Sequence, residues 1–402
     1  MKILQIASEV NIGSVGKIAE QIGEQIIAAG GQSYIAWGRD ALASTSESFR
    51  IGSQFDVYHH VFFTRISDKH GLASKKVTKD LIKKIEAIKP QIIHLHHLHG
   101  YYINYKILFE YLAKSHASVI WTFHDCWSFT GHCSHYEYVN CQKWQDICYQ
   151  CPQTQEYPKA FVDRSTKNFE DKKVAFCSVE NLTIVPVSYW LAGEVKKSYL
   201  KNYPVVTIQN GIDVALFHPM TTNIRASLGI SASDFLILGV AYVWDTRKGY
   251  QYFMELSSKL NENETIVLVG LSQAQIKNLP SNIVGLKRTN SATELAEWYA
   301  TADVFVNPTL EDTFPTTNLE ALACGTPVVT FKSGGAPETI DDQTGIVVAK
   351  GNGNELLDAI RLIKLKGKAS YSLKCRERAE LHFNKKENFK KYLELYKKIL
   401  NK

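Results

Sequence analysis

With 402 residues the chain is long enough for two domains, each with its own core. Its 45% hydrophobic and 21% charged content excludes a disordered or fibrous chain, and a net charge of +6 is too mild to mark a nucleic-acid binder. The first seven residues lack the apolar run of an export signal and no segment is long enough to cross a bilayer, so the expectation is a cytoplasmic protein whose basic excess favours peripheral contact with the inner face of an anionic membrane.

In chain order, residues 2–7 read as a strand, followed by the loop Gly13 to Gly16 and a helix with Val15, Ile18, Ile22 and Ile26 on one face. Gly30 and Gly31 end that helix, and 33–37 form the next strand, which makes a βαβ unit. Residues 75–89 are an amphipathic helix with Val77, Leu81, Ile85 and Ile88 aligned and six lysines around them. Such a helix packs on a sheet or touches anionic lipid. Further strands are expected at 91–95, 119–123, 183–187 and 205–208. A second alternating pattern begins at 235–240 and continues with strands at 266–269, 283–286, 304–306, 328–331 and 346–348. Helical stretches near 250–260, 292–300, 317–324 and 353–365 separate them. The chain therefore divides into an N-terminal Rossmann-like domain (1–209), a second doubly wound domain (210–384) and an amphipathic C-terminal helix (385–402) expected to pack back on the first. Ligands of such sheets bind at the carboxyl ends of the strands, so a cleft between the domains is the expected site.

Three stretches carry chemistry. After the strand near 304–306, Asp312 and Glu320 flank a seven-residue gap in which Thr317 reads as an N-cap, with Gly325 and Pro327 as stop signals. A helix N-terminus there offers amides and a dipole to phosphate, although Thr317 and Glu320 also satisfy a simple capping box that would close the helix on itself. His94, His96, His97 and His99 alternate faces if they continue a strand, so one metal would draw awkwardly on all four, and strand-end and acceptor-side roles are preferred. Within an insertion at 126–160, Cys133, Cys141, Cys148 and Cys151 offer four thiols among aromatic residues and no helical or strand period. They read either as a structural zinc site or as reduced thiols buried among those rings.

The order of these features resembles glycosyltransferase family 4, retaining enzymes of the GT-B fold, and in particular its branch that builds bacterial surface polysaccharides. The resemblance rests on the glycine loop at Gly13, on His124 at a strand end, and on Asn210 to Asp213 with Phe217 and Pro219. Arg247-Lys248-Gly249, the Asp312/Glu320 pair, Cys324 to Val329 and Gly334 to Glu338 complete it. It implies transfer of a hexose, with retention, from a UDP- or GDP-sugar to a saccharide or polyprenyl-linked saccharide acceptor, with no nucleic acid involved. By the same resemblance His124, Arg247, Lys248, Asp312 and Glu320 are the catalytic set. Gly13, Ser14, Phe314, Thr316 and Thr317 bind the donor, with Phe314, Thr316 and Thr317 offering backbone amides. His99 and Asn104 are acceptor contacts. Transfer should need no divalent metal, because cationic side chains and a helix end take that role. Two departures stand out: Asp312 replaces a more usual glutamate, and the arginine that often follows the first strand of the second domain is missing, so that Arg247 is the stand-in. An isomerase or hydrolase of nucleotide sugars on the same scaffold, or a silent partner subunit, are the alternatives.

Overall fold

Two sheets of six parallel strands organise the chain, and the computed structural model describes residues 1–401. The first contains β1 (Lys2–Ala7), β2 (Gln32–Trp37), β3 (Glu47–Arg50), β4 (Ile92–Leu95), β5 (Ser118–Phe123) and β6 (Leu182–Pro186) in the order β3-β2-β1-β4-β5-β6. The second contains β7 (Phe235–Val240), β8 (Glu264–Val269), β9 (Ile283–Leu286), β10 (Val304–Asn307), β11 (Val328–Phe331) and β12 (Gly345–Val348), ordered β12-β11-β10-β7-β8-β9. Each is the doubly wound arrangement, with its direction of winding reversing between β1 and β4 in one sheet and between β7 and β10 in the other. The central strands are largely apolar and buried because helices cover both faces: Ile3, Leu4 and Ile6 of β1 and Leu236, Ile237 and Leu238 of β7 are fully buried.

The chain separates into one unit of Met1–Gln209 plus the stretch from Phe389 onward, and a second of Asn210–Asn388. From Phe389 the last helix, Lys385–Leu400, lays Phe389, Tyr392, Leu393, Leu395 and Tyr396 against Ile3, Ile92 and Ile120 of the first sheet. Five buried apolar side chains at about 1.5–3 kcal/mol each make this helix part of the first core.

Two expectations need correction. Residues 205–208 do not form a regular strand: the segment runs along β6, with Ile184 N donating to Pro204 O, Val206 N to Ile184 O and Ile208 N to Pro186 O, but pairs as a single bridge at Val205 and Ile184. The edge strand β3 was not predicted, since Glu47-Ser48-Phe49-Arg50 has too little apolar content to signal a strand. The insertion at 126–160 has two single 3-10 turns, Trp127–Phe129 and Lys143–Gln145, packed around the buried rings of Trp127, Phe129, Tyr136 and Trp144.

Candidate functional site

In the second unit, the loop after β10 and the loop before the helix Tyr250–Ser257 are pressed together. Gly249 has φ +79°, and a Cβ there would lie 2.1 Å from the Pro308 carbonyl oxygen, so only glycine allows the approach. Leu310 N donates to Arg247 O at 2.8 Å across the same junction. The close approach sets Lys248 Nζ 2.7 Å from Asp312 Oδ2 and Arg247 Nε 3.8 Å from Glu311 Oε1. On the other side Gly334, φ +50°, lies where a Cβ would meet Asp312 O at 1.8 Å, and Gly335 N donates to that oxygen at 3.0 Å. Asp312 is thus held by backbone on one side and by an ammonium on the other. A buried chain of amides secures the strand end: Asn307 Nδ2 donates to Asn318 Oδ1 at 2.8 Å, and Asn318 Nδ2 to Thr339 Oγ1 at 2.9 Å.

The helix Thr316–Ala323 has Pro315 as N-cap, two residues before the expected Thr317, and no side-chain cap. Thr317 is therefore its second residue and Glu320 its fifth. The capping box does not form, because its N-cap position is held by Pro315 and not by Thr317. The first amides of a helix have no intrahelical partner, so those of Thr316 and Thr317 are suited to a ligand. The amide of Phe314 is not, since it donates to Asp312 Oδ1 at 3.1 Å, and its ring packs on Phe383. Glu320 sits by Tyr299, whose phenol is pushed upward in pKa by burial and then by the Glu320 charge. Glu311, 3% exposed at the side chain, was not singled out in the sequence, where it is only the neighbour of Asp312. Arg288 was also missed: its guanidinium lies 4.9 Å over the ring of Tyr242, just past β7, where the resemblance leads one to expect an arginine.

In the first unit the helix Gly13–Ala28 follows β1 with Ile12 at its N-cap and no capping side chain, leaving Gly13 and Ser14 exposed. His124, at the end of β5, is 3.1 Å from His96 Nδ1 through its Nε2, and burial first, then His96, lowers its pKa well below the usual histidine range. It is neutral at physiological pH and suited to hydrogen bonding. The histidine run divides into two ring pairs. His94 bonds Tyr396 and Thr122, and His96 bonds Gln5 and His124. His97 and His99 instead converge on Asp125, with Nε2 to Oδ2 distances of 3.4 and 2.5 Å. Burial works against the Asp125 charge, but His99 and His97 outweigh it and hold the carboxyl well below its usual range. His99 Nδ1 also meets Tyr157 Oη at 3.0 Å. Among the described residues, His97, His99 and Asp125 are the only group of three or more potential metal ligands whose donor atoms all lie within 4.8 Å of one another.

Asn104 is corrected. Its side chain caps the helix Tyr105–Leu112 by accepting from Ile107 N at 3.1 Å and donates to Leu72 O at 2.6 Å, and it is buried, so it supports the fold and not an acceptor. The four thiols Cys133, Cys141, Cys148 and Cys151 line one small cavity with His132, Tyr136 and Trp144. Cys148 Sγ accepts from Gly131 N at 3.1 Å, and the contact between Cys133 and Cys151 pulls the Cys151 thiol down to about 7 while pushing that of Cys133 up. The donor chemistry suits a soft metal, and the amide to Cys148 is of the kind that steadies a thiolate. Tetrahedral zinc, however, requires sulfurs about 3.8 Å apart from Zn–S bonds of about 2.3 Å, and no three of these thiols are gathered so closely. They would have to draw together around an ion.

Residues 233–364 match the protein family described as glycosyl transferases group 1. The putative colanic acid biosynthesis glycosyl transferase WcaC of Escherichia coli (strain K12) is 24% identical over 289 residues, covering 68% of this chain and 67% of that protein. Sucrose-phosphate synthase from Thermosynechococcus elongatus superposes with a TM-score of 0.74 at 19% identity, covering 100% of both chains. Anabaena HepE, solved in complex with UDP and glucose, gives 0.69 at 15% identity, covering 99% of each. The two doubly wound sheets are those of the GT-B fold.

Proposed function

We propose that this chain, whose residues 233–364 are a group 1 glycosyltransferase domain within a GT-B fold, transfers a hexose from a nucleoside-diphosphate sugar with retention of configuration, in the assembly of a surface polysaccharide. The observation that carries the reading is the Lys248–Asp312 pair at 2.7 Å beside an uncapped helix N-terminus. A nucleotide sugar reacts by breaking its C1–O bond to the diphosphate, so negative charge grows on the leaving group, and a cation held there acts on the transition state itself.

Lys248 and Arg247 take the role of charge stabilisers, the amides of Thr316 and Thr317 bind donor oxygens, and Asp312 accepts from hydroxyls of the transferred sugar. Glu320 is assigned to the ribose hydroxyls. The acceptor hydroxyl adds to C1 on the face the diphosphate leaves, and its proton passes to a phosphate oxygen, so no protein base is required. On the first unit Gly13, Ser14 and neutral His124 are assigned to the donor, and His99, oriented by Asp125, to the saccharide or polyprenyl-linked saccharide acceptor. HepE was solved with UDP and glucose, which supports a uridine nucleotide as the first donor to try. Zinc in the cysteine cavity, as a staple for the insertion and not for transfer, belongs to the same reading; a small aromatic cluster without helix or strand gains most from such a staple.

The test is a thermal-shift screen of UDP- and GDP-sugars, then product analysis with saccharide and lipid-linked acceptors. Donor consumed without any acceptor would favour the isomerase or hydrolase, and nucleotide binding without turnover across the panel would favour the silent subunit.

A further inference from the structure

The basic helix Lys75–Ile88 has its apolar side engaged: Leu81 and Ile85 are buried, and Gly52 and Asn104 close on Val77 and Thr78. The helix before it, Gln54–Ser67, is built the other way round. Its inward residues are Val57, His60 and Thr64, whereas Phe55, Tyr58, Phe62 and Ile66 are 77, 65, 63 and 49% exposed. At 100° per residue those four fall within an arc of about 80°, so they form one continuous stripe. At its C-terminal end Phe161 N donates to Arg65 O at 2.8 Å, which adds the exposed side chains of Phe161 and Val162 to the same area.

The surroundings are cationic. Residues 51–89 contain eight lysines and arginines against four acidic residues, a net +4 of the +6 carried by the whole chain. Of the acidic four, Asp56 is engaged with Ser53 in the capping box, Asp68 is buried against His132, and Asp80 is paired with Lys83, leaving Glu86 exposed on the basic helix. Lys75 and Lys76 are exposed at the start of that helix, which is tied to the apolar one by His60 Nδ1 and Ser74 Oγ at 2.8 Å.

We propose that the outer face of the Gln54–Ser67 helix, with Phe161 and Val162, is a docking surface for an anionic lipid bilayer. Aromatic side chains enter the headgroup boundary while the flanking lysines meet lipid phosphates. A second copy of the chain is the poorer occupant, because two faces with this charge would repel. The inference concerns the first unit alone and does not depend on the donor chemistry.

The full-length protein, without nucleotide, is sedimented with vesicles of phosphatidylcholine containing about 30% phosphatidylglycerol, and with phosphatidylcholine alone. Expected are association with the anionic vesicles only, weakening as salt is raised, and a loss of roughly tenfold or more in Phe55→Ser/Phe62→Ser with an unchanged melting temperature. Lys75→Glu/Lys76→Glu should weaken binding as well. No association with anionic vesicles, equal binding to neutral ones, or a dimer by light scattering that the double serine variant abolishes would overturn the proposal.

Discussion

Replacing Lys248 by methionine separates the two things this lysine could be doing. It keeps the length of the side chain and removes the charge that stands 2.7 Å from Asp312. Both partners are partly exposed, 28% and 19% at the side chain, and a pair in that setting contributes at most about 1 kcal/mol. If the pair were only structural, Lys248→Met would lower the melting temperature by a few degrees and leave the rate alone. If the ammonium stabilises the departing diphosphate, the loss resembles removal of one preorganised donor, about 10²–10³ in kcat or roughly 2.7–4 kcal/mol, with little change in stability. The assay is initial-rate product formation with the donor and acceptor found by screening, alongside nucleotide Kd and a thermal melt of the same preparation. Turnover within threefold of the parent, with nucleotide affinity intact, refutes the assignment and with it the central step proposed for this site.

Gly334→Ala should destabilise the second unit by about 1–3 kcal/mol and abolish donor binding, because its Cβ would lie 1.8 Å from Asp312 O; an unchanged melt and Kd would show that the turn adapts freely. If zinc staples the insertion, the purified protein carries about one equivalent by mass spectrometry, and Cys148→Ser loses it and melts earlier; a metal-free preparation whose melt ignores chelator leaves the thiols as buried core. Acid should destabilise the first unit. Burial lowers the pKa of His60 and His94 to about 3 from an ordinary 6.5, so the unfolded chain binds protons that the folded one refuses, and stability present above pH 6.5 is lost as pH falls toward 3. At pH 4.5 each of the two accounts for a destabilisation on the order of a few kcal/mol. Denaturant melts between pH 7 and 4.5 read it directly, and a flat profile would mean these rings protonate in place.

The legible part of the fold was the part written in apolar runs. Strands β1, β7 and β11 are uninterrupted runs of buried residues, and both windings followed from their alternation with helices. Strand β3 was hidden because an edge strand with polar ends needs only one partner. The site was legible where backbone dictates residue type, as at Gly249 and Gly334, whose positive φ and close contacts admit nothing larger. It was not legible where distant side chains meet. Asp125 follows His124 in sequence, yet its joint engagement of His97 and His99 arises from the adjacent ends of β4 and β5, which no local period encodes. Asn104 misled for the opposite reason, since a polar residue near histidines is read as functional when it is the cap of the next helix. Glu311 and Arg288 likewise had no pattern around them.

The shorter carboxylate at position 312, which looked like a defect, has a local use. Asp312 Oδ1 accepts from Phe314 N two residues on while Oδ2 receives Lys248, a double engagement suited to an aspartate, whose side chain is short enough to close a turn on its own backbone. A glutamate would reach further into the site but give up the turn bond. Asp312→Glu therefore tests whether the residue is a degraded version of a longer one or a fitted one. If fitted, the substitution weakens binding of the sugar nucleotide by roughly 0.5–1.5 kcal/mol, the worth of one hydrogen bond, and leaves the affinity for the bare nucleoside diphosphate unchanged. Calorimetry with the nucleotide and the nucleotide sugar side by side distinguishes the two. Tighter binding of the sugar nucleotide would mean that the chain has lost reach at this position, and turnover that appears only in Asp312→Glu would strengthen the reading of a silent subunit at the expense of the transferase.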